Sequence, residues 1–208
     1  MGNNTDSRIV RTKQLLREAF MEMLNTVGFD RITVQSLITK AGISRGSFYL
    51  HYEDKYDLLN KIEDEILSGI RDILTTTDFS EISRLKNDGA PLPYTIKILE
   101  HVKSYDWFYI PIMGPKGDPF FIGKVGDFIR TAMSNFLVKT GVLDHLVIPK
   151  EYFFAVFTSA VTTVISEWVR TGMKDEANKV ASIMSMLLLN LPRSFSAMGG
   201  MAAPPRNE

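Results

Sequence analysis

The sequence predicts a folded, all-α chain from three observations, of which the first two indicate helices and the third indicates a globular protein. Apolar residues recur at spacings of three and four, the period of an amphipathic helix, and almost no stretch alternates with the period of two that a half-buried strand shows. Glycine and proline stand at the ends of the apolar stretches, where helices stop and start. Hydrophobic residues make up 45% of the 208 residues and charged residues 23%, a composition typical of a folded globular chain.

Charge and cysteine content narrow the possible functions. The 24 Lys and Arg balance the 24 Asp and Glu, so any binding of nucleic acid must rest on local rather than global charge. The absence of cysteine excludes both a disulfide framework and a thiolate metal site. The beginning MGNNTDSR lacks the order of a secretory signal, and the longest uncharged stretch, residues 152–166, is shorter than the roughly 20 residues of a membrane span. We therefore expect a soluble, cytoplasmic protein.

The first fifty residues hold three helical stretches separated by stop and cap residues. Gly28 and Gly42 each follow an apolar stripe, as expected just past the end of a helix. Thr33 and Ser44 each precede a stripe, where a hydroxyl can accept from the unpaired amides of a first turn. The helices predicted on these grounds are residues 7–27, 34–41 and 45–52.

The remainder of the chain is predicted to contain longer helices. One begins near Lys55, runs to Leu74 and is expected to be a rigid connector, and residues 75–93 have loop composition with at most one short helix. A segment broken by proline and glycine covers residues 107–119, and the ending from residue 196 is predicted to be disordered. The other predicted helices are residues 94–105, 120–139, 150–171 and 174–195. The domains predicted from this pattern are residues 1–54, residues 55–195 and the tail 196–208.

A helix, a tight turn at Gly42 and a second short helix, packed on a longer preceding helix, form a helix-turn-helix pattern. The second helix of such a unit can enter a DNA major groove about 12 Å wide. Phe48 and Tyr52 lie four residues apart and are expected to face the core, which leaves Arg45, Ser47, Tyr49 and His51 for solvent or DNA. Residues 8–55 hold eight basic and five acidic residues, so their net charge of 8 − 5 = +3 agrees modestly with this interpretation.

The run AGISRGSFYLHYEDKYDLL, residues 41–59, closely resembles the DNA-binding domain of TetR-family transcriptional regulators. The resemblance covers about residues 8–59, and FYxHYxDKxxLL is its most specific part; Ile38 departs from it, because many members have Ala there. Residues 113–120, MGPKGDPF, also look like the C-terminal region of a subgroup that includes regulators of dihydroxyacetone kinase. The resemblance implies an N-terminal helix-turn-helix domain of three helices and a larger helical domain for ligand binding and dimerisation.

The same resemblance implies that the chain binds a palindromic DNA operator as a homodimer and is released or modulated by a small-molecule effector. Matching positions imply base or adjacent backbone contacts for Gln35, Arg45, Ser47 and Tyr49, and phosphate contacts for Thr33, His51 and Lys55. Arginine can pair with guanine and glutamine with adenine through two hydrogen bonds each. Lys55 was assigned on a further physical ground, since the free amides of a first helical turn favour a phosphate.

The C-terminal part is rich in aromatic and apolar residues beyond what one helix face needs. Aromatic side chains around a broken segment are often ordinary core, but gaps between interrupted helices also hold ligands. The residues predicted to line an effector pocket are His101, Tyr105, Trp107 and Phe153. Burial on two sides of the last two helices predicts a four-helix dimer interface. The residues predicted for that interface are Phe157, Val161, Ile165, Trp168, Met184, Leu188 and Leu191.

Other interpretations remain open at the level of sequence. The C-terminal domain could receive a partner protein instead of a small molecule, and the regulator could be an activator instead of a repressor. An enzyme with an appended DNA-binding domain is not supported, because no set of acid, base and nucleophile stands out. His101 and His145 lack a carboxylate at metal-ligand spacing, so neither a metal site nor a cofactor is predicted.

Overall fold

The computed structural model describes residues 3–77, 90–140 and 146–194, and these residues form α-helices joined by turns. The all-α class is therefore confirmed. A short 3₁₀ turn, Phe29–Arg31, follows the first helix. In chain order the helices are α1 (Asn3–Thr26), α2 (Val34–Ala41), α3 (Arg45–Tyr49), α4 (Lys55–Thr76), α5 (Pro93–Ser104), α6 (Asp106–Ile112), α7 (Phe121–Thr140), α8 (Lys150–Arg170) and α9 (Ala177–Ser194).

Most predicted helix bounds agree with the structure, and the departures have physical causes. Helix α3 ends three residues before the predicted end, because the amide of His51 donates to the carbonyl of Phe48 and tightens the turn. Helix α9 begins at Ala177, three residues late, since the indole of Trp168 takes the carbonyl of Asp175 as its acceptor at 3.0 Å. Helix α1 begins four residues earlier than predicted.

Helix α6 was missed, because the proline and glycines of residues 107–119 were interpreted as breaks. The helix is seven residues long and contains Pro111 near its end. The predicted loop of residues 75–93 lies partly, and the predicted disordered tail wholly, outside the described residues.

Contacts divide the chain into two compact units. Unit 1 consists of Met1–Asp72 and Ser104–Phe121, and unit 2 consists of Ile73–Lys103 and Ile122–Glu208. Most of α4 and all of α6 therefore group with the N-terminal helices, although the sequence predicted a domain boundary at residue 54.

The core of unit 1 combines α1, α2, α3 and α4 around large apolar side chains. The ring of Phe29 lies against those of Phe20 and Tyr56, with centroids 6.3 and 5.5 Å away. Arg17 of α1 forms an ion pair with Glu65 of α4. The apolar side chains that are almost completely buried include Leu16, Phe20, Leu24, Leu37, Phe48, Leu58 and Leu59.

Unit 2 is organised by α8 packed against α9. The rings of Phe153 and Phe157 stack at 5.9 Å, and the hydroxyl of Ser185 accepts the amide of Leu92 at 2.7 Å in the buried interior. By length and composition α8 could cross a membrane, with a mean hydropathy of 1.3. Its apolar face instead supplies core residues, of which Phe153, Phe157 and Trp168 are examples.

Candidate nucleic-acid interface

The entry into α2 is fixed by a reciprocal cap. The hydroxyl of Thr33 accepts the amide of Ser36 at 3.1 Å, and the hydroxyl of Ser36 accepts the amide of Thr33 at 3.0 Å. This capping box satisfies two donors that a helix start otherwise leaves unpaired. At the other end Gly42 adopts a φ of 65°, a left-handed conformation that glycine reaches without steric cost. Thr33 and Ser36 therefore fix the start of α2, and Gly42 fixes the turn that leads to α3.

Helix α3 is held by one cap and one aromatic anchor. The hydroxyl of Ser44 accepts the amide of Ser47 at 3.1 Å, so the predicted cap is confirmed. Phe48 and Tyr52 are buried, as predicted, and their ring centroids lie 5.7 Å apart. Burial raises the pKa of the Tyr52 hydroxyl, which the nearby Arg17 partly opposes. The opposite face of α3 is thereby directed outward.

The outward face of α3 presents a preorganised pair of side chains. The guanidinium carbon of Arg45 lies 5.4 Å from the centroid of the Tyr49 ring, and a guanidinium nitrogen donates to the Tyr49 hydroxyl at 3.3 Å. Both residues are exposed, and Tyr49 retains 48% of its accessible surface. A cation held over an aromatic ring one helical turn away loses rotamer freedom before any ligand arrives.

Gln35 and Ser47, predicted to face bases, and His51, predicted to contact a phosphate, belong to the same unit as this pair. Gln35 is exposed on the first turn of α2, and its amide donates to the hydroxyl of Thr39 at 3.4 Å. Ser47 is half-buried, with its hydroxyl 2.8 Å from that of Ser44. His51 lies just past α3, where its carbonyl oxygen accepts from the ammonium of Lys61 at 2.9 Å.

Lys55 has a structural role that the sequence did not suggest. Its ammonium donates to the carbonyl oxygens of Phe29 at 3.0 Å and Asp30 at 3.2 Å, and it lies 4.7 Å from the centre of the Phe29 ring. The carboxylate of Asp54 accepts the amides of Tyr56 and Asp57 at 2.8 Å each. The expectation of free amides at the start of α4 was therefore wrong, while a phosphate contact by Lys55 stays a prediction.

Two further lysines, Lys61 and Lys116, bond backbone carbonyls within unit 1, and the sequence predicted neither contact. Lys61 bridges the carbonyl of His51 and the carboxylate of Asp57, each at 2.9 Å. This bond and the amide of Glu53 lower the pKa of Asp57. Lys116 donates to the carbonyl of Thr26 at 2.9 Å. The i,i+4 spacing of Asp57 and Lys61 predicts the ion pair between them, whereas no local pattern predicts the bond from Lys116 across 90 residues.

The four residues predicted for an effector pocket do not meet within either unit. Tyr105 and Trp107 belong to unit 1, and His101 and Phe153 belong to unit 2. Trp107 retains 38% of its surface and lies beneath the guanidinium of Arg17, 5.8 Å from the ring centroid. It lines a groove of about 730 Å³ in unit 1 together with Val10, Lys13, Gln14, Arg17, Glu18, Met21 and Glu65.

Five of the seven residues predicted for a dimer interface are buried within the single chain. These are Phe157, Val161, Ile165, Trp168 and Met184, whereas Leu188 and Leu191 are half-buried. The large apolar side chains that α8 and α9 leave exposed are Tyr152, Val156, Ile183 and Met186. The exposed large apolar residues of these two helices are therefore ones that the prediction did not name, while Leu188 and Leu191 are partly exposed.

A capped α2, a glycine turn and a short α3 with an exposed cation and aromatic ring define a helix-turn-helix protein. Residues 16–62 match the family model described as bacterial regulatory proteins of the tetR family. Residues 90–190 match a model described as a transcriptional regulator C-terminal region. The chain belongs to the TetR family, whose members are DNA-binding transcriptional regulators and not enzymes.

Individual relatives agree with this assignment. The HTH-type transcriptional regulator YxbF of Bacillus subtilis is 30% identical over 131 residues, which cover 59% of this chain and 34% of the relative's length. A TetR transcriptional regulator from Streptococcus agalactiae has a similar structure, with a TM-score of 0.59 at 19% identity, covering 88% of this chain and 97% of that one. The structure of the dihydroxyacetone kinase operon activator DhaS is also similar, with a TM-score of 0.56 at 15% identity, and the match covers 89% of this chain and 98% of that one.

Proposed function

We propose that the outward face of α3 reads base edges in the major groove of a palindromic operator. The observation that carries this proposal is the exposed pair of Arg45 and Tyr49, in which the ring and hydroxyl of Tyr49 hold the guanidinium. An oriented guanidinium matches the two acceptors of guanine, O6 and N7. Gln35 can pair with adenine in the same way, and Ser47 would contact either a base or the DNA backbone beside it.

The surrounding polar residues would fix the position of α3 through the phosphates. Thr33 begins α2, where the helix dipole favours an anion. His51 follows α3, and Lys55 is the first residue of α4. The ammonium of Lys55 has three donors, of which two contact carbonyl oxygens, so one proton remains for a phosphate oxygen.

The test of base reading compares Arg45→Ala with the unmodified chain on two duplexes. One duplex is recovered from random-sequence DNA by the chain itself, and the other is of random sequence. Arg45→Ala should reduce the preference for the selected duplex by about 1–3 kcal/mol, because one bidentate base contact is lost. Arg71→Ala, an exposed arginine of α4, is the matched control and should retain the preference. Equal losses on both duplexes would contradict base reading by Arg45.

The proposed operator is palindromic because we infer a homodimer formed through α8 and α9. Tyr152, Val156, Ile183 and Met186 supply exposed apolar surface on these helices, and the seven residues predicted earlier would support it from beneath. A two-fold axis here would produce a four-helix interface burying at least about 1,000 Å². Its two reading helices would then match half-sites about 34 Å or a further whole number of turns apart.

The dimer is tested by sedimentation of the double variant Val156→Glu and Met186→Glu. Buried carboxylates oppose association, so this variant should sediment as a monomer and lose affinity for the selected duplex. Val10→Glu introduces a charge at an exposed valine of α1 and should leave the dimer intact. A double variant that remains a dimer would place the interface elsewhere.

We further propose a cytoplasmic repressor whose DNA affinity is changed by a small-molecule effector, for which Tyr105 and Trp107 of unit 1 and His101 and Phe153 of unit 2 are separate candidate contacts. Helix α4 is continuous for 22 residues, about 33 Å at 1.5 Å per residue, so a small rotation at one end moves the other by ångströms. Coupling of this kind is reciprocal, so DNA must oppose the effector as much as the effector opposes DNA.

The regulatory proposal is tested by transcription in vitro and by reciprocal titration. The protein should reduce transcription from a promoter that overlaps the selected duplex, whereas increased transcription would indicate an activator. Compounds that bind the protein should bind more weakly when the duplex is present. If no compound does so but a protein captured from the same cells does, the alternative of a partner protein is favoured.

A further inference from the structure

The turn of residues 113–118, here called the Lys116 turn, belongs to unit 1 although it lies inside the matched C-terminal region. Its Lys116 contacts the junction between α1 and the 3₁₀ turn twice. The carbonyl oxygen of Lys116 accepts the amide of Phe29 at 2.9 Å, and its ammonium donates to the carbonyl of Thr26 at 2.9 Å. One residue thus binds both sides of a junction 90 residues earlier in the chain.

The bonds from Lys116 add to local turn bonds at the junction, in which the amides of Val27 and Gly28 donate to the carbonyl of Met23 at 2.8 and 3.2 Å. Thr26 is the last residue of α1, and the carbonyl oxygens of a last helical turn receive no amide from the helix itself. Gly28 adopts a φ of 87°, and a Cβ atom there would lie 3.3 Å from the Cβ of Lys116. The carbonyl of Phe29 is bound by Lys55 on its other side. Both backbone polar groups of Phe29 are therefore held by distant lysine residues.

The Lys116 turn is closely packed and closed by its own hydrogen bonds. A Cβ atom on Gly117 would lie 1.8 Å from the carbonyl oxygen of Ile112, a distance that excludes every other residue without movement of the backbone. The amide of Asp118 donates to that same carbonyl at 3.1 Å, and the carboxylate of Asp118 accepts the amide of Phe120 at 3.0 Å. The turn is therefore already shaped to contact the junction.

The 3₁₀ turn leads through Ile32 directly to Thr33, the cap of α2. A shift at Phe29 would consequently move α2 relative to α1, and α3 with it. We propose that Lys116 is a positioning residue for DNA binding, which holds the α1 junction so that α2 and α3 fit the groove. This inference rests on the proposed function, but it assigns Lys116 no contact with DNA.

The alternative is that the exposed Lys116 binds a phosphate directly, and salt dependence separates the two. We would measure affinity for the selected duplex as a function of NaCl, at a temperature where circular dichroism shows each variant folded. Lys116→Met should lower affinity about fivefold to tenfold at every salt concentration, as expected for loss of one positioning hydrogen bond, with an unchanged slope. Loss of a phosphate contact would instead reduce the slope by about one.

Further variants complete the test. Lys116→Arg keeps a donor and should restore affinity to within about twofold. Gly117→Ala should displace the whole turn, weaken DNA binding by more than Lys116→Met and accelerate hydrogen exchange of the Phe29 amide. Lys103→Met, on an exposed lysine of α5, is the matched control and should change neither.

The possible failures are distinguishable. A chain that selects no duplex overturns both the proposed function and this inference. If the unmodified chain selects a duplex but folded Lys116→Met binds it with normal affinity, this inference alone is overturned. A reduced salt slope, or a Phe29 amide that exchanges equally fast in the unmodified chain and in Gly117→Ala, also overturns it.

Discussion

The interior of unit 1 is stabilised in a different way from the interior of unit 2. In unit 1 the helices α2, α3 and α4 begin at side chains that bond the backbone, namely Thr33, Ser44 and Asp54. In unit 2 the long helices α8 and α9 pack through broad apolar faces, and Ser185 of α9 is hydrogen-bonded to Leu92 and Thr95 in the buried interior. Local hydrogen bonds define where an element ends, whereas packing defines only which face turns inward.

The difference has a functional consequence. A reading helix must be placed to within about 1 Å for its hydrogen bonds to bases to form. Helix α3 has only five residues and could not be stable alone, so its caps and the buried ring of Phe48 must supply that placement. Helices α8 and α9 are long enough that packing determines their position.

The largest effects are expected from removing a core ring in either unit. Phe48→Ala in unit 1 and Phe157→Ala in unit 2 should each lower the free energy of unfolding by about 3–5 kcal/mol, through lost burial and the cavity left behind. Amide hydrogen exchange of each variant would locate the loss. Phe48→Ala should accelerate exchange in unit 1, and Phe157→Ala should accelerate it in unit 2.

This pair of variants tests the comparison itself. If each substitution accelerates exchange equally in both units, the chain opens as one cooperative block and the contrast between units is structural only. Val10→Ala, at an exposed position of α1, is the control and should change unfolding by less than about 0.5 kcal/mol.

A smaller effect is expected from the buried polar contact of unit 2. Ser185→Ala should cost about 1–3 kcal/mol, because the buried amide of Leu92 loses its acceptor and the hydroxyl of Thr95 loses a partner 2.9 Å away. Ser182→Ala, three residues earlier, removes a hydroxyl that bonds the carbonyl of Asn178 and should cost far less. Denaturant unfolding measures both, and equal costs would show that Ser185 is not a structural contact.

The contrast between the units also explains what the sequence could predict. The bounds of α2 agree with the structure, because Thr33 and Gly42 are local signals for a start and a stop. The outward face of α3 followed from the spacing of Phe48 and Tyr52. These inferences need only neighbouring residues, which is why they hold for unit 1.

Other features depend on residues distant in sequence, and no periodicity reports them. The bonds from Lys55 to Phe29 and from Lys116 to Thr26 cross 26 and 90 residues. On α8 and α9, a surplus of apolar residues indicated burial on two sides but not which side chains the chain itself would cover. The structure leaves Tyr152 and Met186 outward instead of Phe157 and Met184.

The cap of α3 should contribute about 0.5–2 kcal/mol. Ser44→Ala removes the acceptor of the Ser47 amide and should lower the free energy of unfolding by that amount, whereas Ser44→Thr retains the hydroxyl and should be nearly neutral. Because α3 carries Arg45, affinity for the selected duplex should fall with the cap. Undiminished affinity in Ser44→Ala would mean that packing of Phe48 alone positions the helix.

The smallest effects are expected from two surface ion pairs of the same spacing, Asp57 with Lys61 in unit 1 and Asp175 with Lys179 in unit 2. Each is an i,i+4 pair, for which about 0.3–0.5 kcal/mol is usual. Asp57→Asn should cost slightly more than Asp175→Asn, since Asp57 also accepts the amide of Glu53 at 2.9 Å. Equal costs would remove this last difference between the units.

The pH dependence of unfolding gives a second measurement of the same difference. The bonds from Lys61 and from the Glu53 amide lower the pKa of Asp57 in the folded chain. Its stabilising contribution is therefore complete above the ordinary pKa of about 4 for an aspartate and is lost as pH falls through the lower, folded pKa. Denaturant unfolding between about pH 5 and pH 2 should show a shallower acid loss in Asp57→Asn than in the unmodified chain. If both proteins lose the same unfolding free energy over this pH range, Asp57 is no more than a solvated surface charge.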